Sequence, residues 1–226
     1  MGVHDGHRQR MRERFIQHGI ENFNDINALE LLLSFAIPRK DTNELAHILL
    51  DKFGSLNAVM SASQQELMEV NGIGENAAVL LRLVPQFYKK AQISHASQIK
   101  ILRYTDDVAA YLCPYFLNEI DELMYLLCLD NNSSPICCVQ LAKGVGDYVE
   151  TNVRKIAELS VTSRASRVIV AHNHPRGPAL PSIEDDEATR QISAALRAVG
   201  VPMSDHLIFY GEEYYSYKQN NRLRIM

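Results

Sequence analysis

The sequence has little of several features that would place a protein in a special structural class. Of its 226 residues none is tryptophan and only four are cysteine. The four cysteines contain no Cys-x-x-Cys pair, so neither a disulfide framework nor a zinc knuckle is predicted. We expect buried, reduced thiols instead; the residues are Cys113, Cys128, Cys137 and Cys138.

Long apolar runs are also missing. No stretch is long enough to span a bilayer, and the segment from Met1 to Phe15 is charged, unlike a signal peptide. We therefore predict no membrane association and a cytoplasmic location. The formal net charge is only −4, so overall electrostatics does not indicate a nucleic-acid-binding protein.

The first hundred residues read as an all-helical domain. The segment from His7 to Phe15 is basic, but its arginines spread around a helix, which favours a solvated helix over a phosphate-contacting arm. Three further helices follow from apolar spacing, capping residues and the breakers Pro38 and Gly54. They are predicted over residues 28–35, 44–53 and 63–70.

A short glycine turn, Asn71-Gly72-Ile73-Gly74, precedes a helix predicted from Glu75 to Lys89. A helix, a Gly-x-Gly turn and a second helix resemble a helix-hairpin-helix. In that motif the turn amides of Gly72 and Gly74 can hold a DNA phosphate. The alternative is a tight turn that needs glycine for its backbone angles, and Glu75 would repel phosphate.

The pattern changes beyond a boundary placed near Lys100, where strands begin to alternate with helices. This alternation predicts a mixed α/β domain over residues 101–226, after a helical domain over residues 1–100. Strands are predicted over residues 122–130, 136–141, 167–171, 206–210 and 213–217, helices over residues 106–116, 151–161 and 183–199, and a turn over residues 143–147.

The histidine stretch carries the strongest chemical signal. An apolar, β-branched strand, Arg167 to Ala171, leads into His172 and His174, which project to one side because residues two apart share a face. After a Pro/Gly turn, Ser182 is predicted to cap a helix, and Asp185 stands three residues later. Two histidines and one carboxylate with an open position form the ligand set of a catalytic zinc, although each motif alone is often fortuitous.

The stretch His172-Asn173-His174-Pro175, followed by Gly177 and by Pro181-Ser182 with Asp185, resembles the JAMM (MPN-type) metalloprotease motif. Together with Thr189 and Asp205-His206 it is similar to the bacterial RadC-like family over nearly the whole chain. The resemblance implies an MPN-type curved sheet flanked by helices, behind an N-terminal domain with a helix-hairpin-helix. It also implies a Zn²⁺-dependent hydrolase of peptide or isopeptide bonds.

The resemblance further implies roles for single residues. Glu122, just before an apolar strand, matches the carboxylate that shuttles the proton; Glu119 and Asp121 are nearby competitors. Ser182 matches the serine that stabilises the oxyanion. Asp205 and His206 are expected behind the metal ligands, with a packed core histidine as the alternative for His206.

The chain departs from the family pattern at Arg176 and Pro178 in the loop, and at Asn152 to Lys155 upstream. None of these departures removes a predicted metal ligand.

Two other functions stay open: a DNA-associated accessory protein in which the metal site is auxiliary, and a metal-dependent nuclease. Salt-dependent DNA affinity would separate the accessory role from the hydrolase, because phosphate contacts weaken steeply with salt.

Overall fold

The computed structural model describes residues 3–38, 40–144 and 150–225. Contacts between residues divide the chain into two compact units, Met1–Tyr88 and Lys89–Met226. The division falls inside one continuous helix, so it does not by itself delimit the domains, and the boundary near Lys100 stays a prediction. The turn predicted over residues 143–147 lies largely outside the described residues.

The first unit is built from helices, as the sequence predicts. Each predicted helix is present, and a short one that the sequence did not predict, α4, follows Gly54. The helices are α1 Val3–His18, α2 Asp25–Ala36, α3 Thr42–Phe53, α4 Leu56–Ser61, α5 Gln64–Met68 and α6 Glu75–Ala96. No helix in the described ranges is both long and apolar enough to cross a membrane.

Side-chain caps explain where these helices begin. Asp41 accepts a hydrogen bond from the backbone of Asn43 at the start of α3, and Gly54 ends α3 with a φ of 84°. Ser63 and Glu66 form a reciprocal capping box at the start of α5, which confirms the prediction. Leucine and alanine side chains from α2, α3 and α6 then form the core of this unit.

The second unit is a mixed α/β fold, which confirms the predicted class. Its helices are α7 Thr105–Leu112, α8 Glu150–Thr162 and α9 Ile183–Ala198, with 3₁₀ turns at Cys113–Phe116 and Arg222–Ile225. Its strands are β1 Leu123–Leu129, β2 Pro135–Lys143, β3 Arg167–Asn173, β4 Met203–Tyr210 and β5 Glu213–Ser216. They form one sheet in the order β2-β1-β3-β4-β5, in which β3 and β4 are parallel and the other neighbours are antiparallel.

Both faces of this sheet are covered. Alternate residues of β1 and β3 pack against α7 on one face, and the residues between them pack against α8 and α9 on the other. Every residue of β1 is therefore buried, which explains why the sequence shows a continuous apolar run there instead of an alternating pattern. The end of β3 is thereby held between the starts of β1 and α9.

Candidate functional site

Three elements of the second unit bring four polar side chains together. His172 lies at the end of β3 and His174 just beyond it, while Asp185 lies in the first turn of α9. Glu122 directly precedes β1, whose Met124 is paired with His172 in the antiparallel ladder. The antiparallel pairing of β1 with β3 thus places the start of one strand beside the end of the other.

The distances among these side chains are short. The Nε2 atoms of His172 and His174 are 3.0 Å apart. The Asp185 carboxylate contacts both rings, with Oδ1 3.0 Å from His172 Nε2 and Oδ2 3.3 Å from His174 Nε2. Glu122 Oε1 lies 4.0 Å from His174 Nε2. The structure therefore brings together the two histidines, the aspartate and the glutamate that the sequence singles out.

A chain of hydrogen bonds behind His172 fixes its tautomer. Thr189 Oγ1 donates to the backbone carbonyl of Asp185 at 2.6 Å, and because a hydroxyl has one proton, it must accept from His206 Nδ1 at 2.7 Å. The other ring nitrogen of His206 is then a bare acceptor, 2.9 Å from His172 Nδ1. His172 consequently carries its proton on Nδ1 and presents a lone pair at Nε2.

His174 is oriented in the same way from the loop. Its Nδ1 lies 3.1 Å from the carbonyl oxygen of Pro178, which can only accept. Neutral His174 therefore also presents a lone pair at Nε2. Two ring lone pairs and a carboxylate then converge at hydrogen-bonding distance without a proton among them, an arrangement that is stable only around a cation or with an added proton.

The spacing of these donors fits a small metal ion. In a tetrahedral site with bonds of about 2.0–2.1 Å, neighbouring ligand atoms are about 3.3–3.4 Å apart. The distances from His172 to His174 and from Asp185 to each ring are 3.0, 3.0 and 3.3 Å. One ligand atom each from Glu122, His172 and His174 also lie within 4.8 Å of one another. The shorter distances favour Asp185 over Glu122 as the third ligand.

The pKa values of side chains at this site are shifted by burial and by the closeness of these groups to one another. Burial raises the pKa of Asp185, but hydrogen bonds with His172 and His174 outweigh it and hold that pKa well below its usual value. The bond to Asp185 raises the pKa of His174 despite partial burial. Burial lowers the pKa of His206 well below its ordinary value, so His206 is neutral, as the hydrogen-bond chain requires.

Access to the cluster is one-sided. The His172 side chain is only 1% exposed, whereas His174 and Glu122 are 19% and 25% exposed. The ring of Tyr217 closes the inner side, stacking on His206 with centroids 4.9 Å apart. Among the described residues, the exposed side of the cluster is therefore the side of His174 and Glu122.

Ser182 forms the predicted cap of α9. Its Oγ accepts from the backbone N–H of Asp185 at 3.0 Å and donates to Asp185 Oδ2 at 2.8 Å. The backbone N–H of Ser182 donates to the same oxygen at 2.8 Å. Ser182 thus orients the carboxylate that faces the histidines, and its hydroxyl proton is committed to Asp185 in this structure.

The two carboxylates that competed with Glu122 in the sequence are paired elsewhere. Glu119 contacts Lys89 at 2.5 Å, and Lys143 lies between Glu119 and Asp121 at 3.8 and 3.3 Å. Of the three acids, Glu122 is the one whose contacts in the described residues reach a histidine of the cluster. Local sequence could not show this because both lysines come from distant segments.

The structure does not bring Asp205 to the cluster. Its carboxylate accepts hydrogen bonds from Ser216 Oγ at 2.6 Å and from the backbone N–H groups of His206 and Lys218 at 2.8 and 3.0 Å. Because successive strand residues face opposite sides, Asp205 points away while His206 points to His172. Asp205 lines a separate cavity of about 340 Å³ near Arg103 and Arg167, and it acts by anchoring the chain after β5.

Two contributors were not assigned a role by sequence reasoning. In the sequence Thr189 is only part of the family motif, yet in the structure it closes the hydrogen-bond chain behind His172. Tyr217 was predicted only as a strand end, yet its ring is buried against His206 and its hydroxyl donates to Asp186 at 3.0 Å. The spacing of Thr189, four residues after Asp185 on one helix face, was the available signal.

In the glycine turn of the first unit, the structure explains the need for glycine at one position. Gly72 has a φ of +101°, and an added Cβ would lie 2.8 Å from a methyl group of the buried Leu45. A Cβ added at Gly74 would meet no described residue within 4 Å, and the φ of Gly74 lies outside the left-handed region. Arg82 of the following helix is engaged within the protein, where it donates to the carbonyl of Ala62 at 3.2 Å.

Three arginines of α1 also have partners within the first unit. Arg8 donates to the carbonyl groups of Pro38 and Lys40. Arg12 lies 5.2 Å from the ring centre of Phe35, and Arg14 4.6 Å from that of Phe23. These contacts give the basic helix a role in packing and leave a weak DNA contact through this unit as an untested prediction.

Replacing Gly72 with alanine is expected to lower the free energy of unfolding by about 1–3 kcal/mol, because its backbone angle is strained for any side chain. Gly74→Ala should change it by about 1 kcal/mol or less. Urea unfolding of the two variants measures the difference, and equal stabilities would contradict the assignment. Gly74→Ala is therefore the cleaner variant for a DNA-affinity test at low salt.

Comparison with known proteins agrees with the fold. A family model described as a RadC-like JAB domain matches residues 102–222, and one described as UPF0758 N-terminal matches residues 6–79. A UPF0758 protein of Ruegeria pomeroyi is 33% identical over 202 residues, covering 89% of this chain and 90% of the relative. One from Fusobacterium nucleatum is 32% identical over 219 residues, covering 94% of each.

Proposed function

Because this chain belongs to the RadC-like family, we propose that it is a zinc-dependent hydrolase of amide bonds in peptide or isopeptide substrates. The observation that carries the proposal is the convergence of His172, His174 and Asp185, with Glu122 at the exposed side. Mixed nitrogen and oxygen donors with three protein ligands are typical of hydrolytic zinc sites.

The ligand roles follow from the orientation of the side chains. His172 and His174 would bind through Nε2, and Asp185 through a carboxylate oxygen. Zn²⁺ in such a site lowers the pKa of a coordinated water to about 7 and polarises a carbonyl. The bond from His172 to His206 holds one ring in place, the bond from His174 to Pro178 holds the other, and Ser182 holds the carboxylate.

Glu122 is suited to moving the proton. It lies 4.0 Å from His174 Nε2 and is partly exposed, so it can reach both the cluster and an approaching substrate. We assign it to accept a proton from the attacking water and to deliver it to the leaving nitrogen. Ser182 would stabilise the oxyanion only after its hydroxyl turned away from Asp185 Oδ2, where it now donates.

Metal removal tests the proposal directly. Purified protein is expected to contain about one zinc per chain by elemental analysis. It should cleave members of a fluorogenic peptide library or a library of lysine ε-amide-linked peptides. Treatment with a chelator should abolish cleavage, and added zinc should restore it. Supercoiled DNA, tested in parallel, should remain intact.

A matched control variant shows whether zinc binding depends on this site or on any histidine of the protein. His172→Ala should lose both zinc and cleavage, whereas His47→Ala, which changes an exposed histidine of α3, should keep both. Equal and low zinc in the wild-type protein and in His172→Ala would remove the basis of the proposal. Chelator-sensitive cleavage of DNA without peptide cleavage would assign the site to a nuclease instead.

A further inference from the structure

The residue between the two histidines, Asn173, faces away from the metal cluster. Its neighbours His172 and His174 point to the cluster, and strand alternation turns Asn173 to the opposite side. The side chain is buried, with a relative exposure of 4%. A buried amide requires partners, and its partners lie on both sides of Glu122.

The amide group of Asn173 brackets Glu122 in the sequence. Its Oδ1 accepts from the backbone N–H of Leu123 at 2.7 Å, and its Nδ2 donates to the carbonyl of Asp121 at 3.1 Å. A side-chain amide supplies both the acceptor and the donor that these two bonds require. The carbonyl of Glu122 itself accepts from the N–H of Gly144 at 2.8 Å, so the backbone is held at three consecutive residues.

These bonds begin where the regular ladder ends. The last registered pair between β1 and β3 at this edge is Met124 with His172. Beyond that pair, on the side that faces β3, the backbone of Leu123 and Asp121 bonds to the Asn173 side chain instead of to strand backbone. Without Asn173, residues 121–123 would keep the pairing of Leu123 with Lys143 of β2 and the bond from Gly144, but these three residues would lose their bonds to the strand that carries the histidines.

We propose that Asn173 is a positioning residue, which ties the backbone around Glu122 to the histidine-bearing strand and so sets the distance from Glu122 to His174. The inference rests on the proposed function, in which Glu122 moves the proton. It assigns Asn173 no contact with substrate or metal. Both hydrogen bonds are required, because with one alone the peptide on one side of Glu122 would have no bond to Asn173 and β3.

Asn173→Ala tests the inference with readouts that do not all depend on turnover. We expect exchange of the Leu123 amide with solvent to become about tenfold faster, and the distance from Glu122 Oε1 to His174 Nε2, now 4.0 Å, to increase in a crystal structure. Zinc content and exchange of the Leu127 amide in central β1 should stay unchanged. With a cleaved peptide probe, kcat should fall about 10²-fold with little change in KM.

The control variant is Asn220→Ala. This asparagine also donates from its amide to a backbone carbonyl, that of Ser216 at 2.8 Å, but at a different place in the unit. It should keep wild-type Leu123 exchange and kcat. An unchanged Leu123 exchange rate and an unchanged distance from Glu122 to His174 in zinc-loaded Asn173→Ala would overturn the inference.

A second variant covers the case in which Asn173→Ala does not fold. Asn173→Asp keeps the acceptor for Leu123 but, with its carboxyl ionised, loses the donor to Asp121, so kcat should fall while Leu123 stays protected. Wild-type kcat in folded, zinc-loaded Asn173→Asp would overturn the requirement for both bonds. If the wild-type protein cleaves no probe, the proposed function fails alone, since the exchange rate and the crystallographic distance still decide whether Asn173 positions Glu122.

Discussion

Replacing Glu122 with glutamine is expected to leave the bound metal in place and to reduce kcat by about 10²–10⁴-fold. Glutamine keeps the size of the side chain but cannot accept and return a proton. His172, His174 and Asp185 remain in contact without it, so the metal should bind as before. The measurement is kcat on the cleaved peptide probe together with zinc content by elemental analysis.

Asp121→Asn is the matched control for Glu122→Gln. Asp121 is the adjacent acid, and its carboxylate pairs with Lys143 at 3.3 Å rather than with a histidine. Its backbone carbonyl, which Asn173 uses, is not altered. The control should keep kcat within about threefold, since surface ion pairs contribute little. Loss of zinc from Glu122→Gln would instead identify Glu122 as a ligand, a role that its distance to both histidines also allows.

Patterns local in sequence predicted most of this site. An apolar β-branched run predicted β3, and spacing by two placed His172 and His174 on one side of it. The capping box predicted that Ser182 begins α9, which set Asp185 in its first turn. These predictions concern residues close together in the sequence, where the periodicity of a strand or helix determines which way each side chain points.

Pairings between distant segments could not be predicted in this way. His206 reaches His172 because β4 lies parallel to β3, with Val170 opposite His206 and His172 opposite Ile208. Nothing in the sequence around His206 sets that register, so a packed core histidine remained an equal alternative. The same reason explains Asp205: its neighbour in sequence joins the cluster, whereas strand alternation turns Asp205 to Ser216.

The acids before β1 show the same limit. Glu119, Asp121 and Glu122 are similar in sequence, and charge alone did not distinguish them. Their difference arises from the partners Lys89 and Lys143, which belong to the long α6 helix and to the end of β2. Only the assembled unit shows which acid remains near the histidines.

Asp185→Asn is expected to reduce zinc affinity by more than the 10–100-fold that is typical of losing a residue behind the ligands. The substitution removes the negative charge that contacts both rings at 3.0 and 3.3 Å. Its amide would also donate a proton toward a ring nitrogen that must face the metal. Titration with zinc against a competing chelator measures the affinity.

The neighbouring Asp186 provides the matched control. Its carboxylate accepts from Arg222 Nε at 2.9 Å and from the Tyr217 hydroxyl at 3.0 Å, and Arg222 lowers its pKa. Asp186→Asn removes the same charge from the same helix turn without touching the two histidines. Zinc affinity should therefore stay close to that of the wild-type protein.

The pH dependence of zinc binding gives the second readout. Asp185 raises the pKa of His174, so a proton competes with zinc for that ring, and apparent affinity should fall as the pH drops through this raised pKa. Removing Asp185 removes the main cause of the raised pKa, so the loss of affinity should begin at a lower pH in Asp185→Asn. Titrations between about pH 5 and about pH 8 cover the range. The same pH profile in both proteins would show that Asp185 does not control the protonation of His174, and wild-type affinity in Asp185→Asn would show that it does not bind the metal.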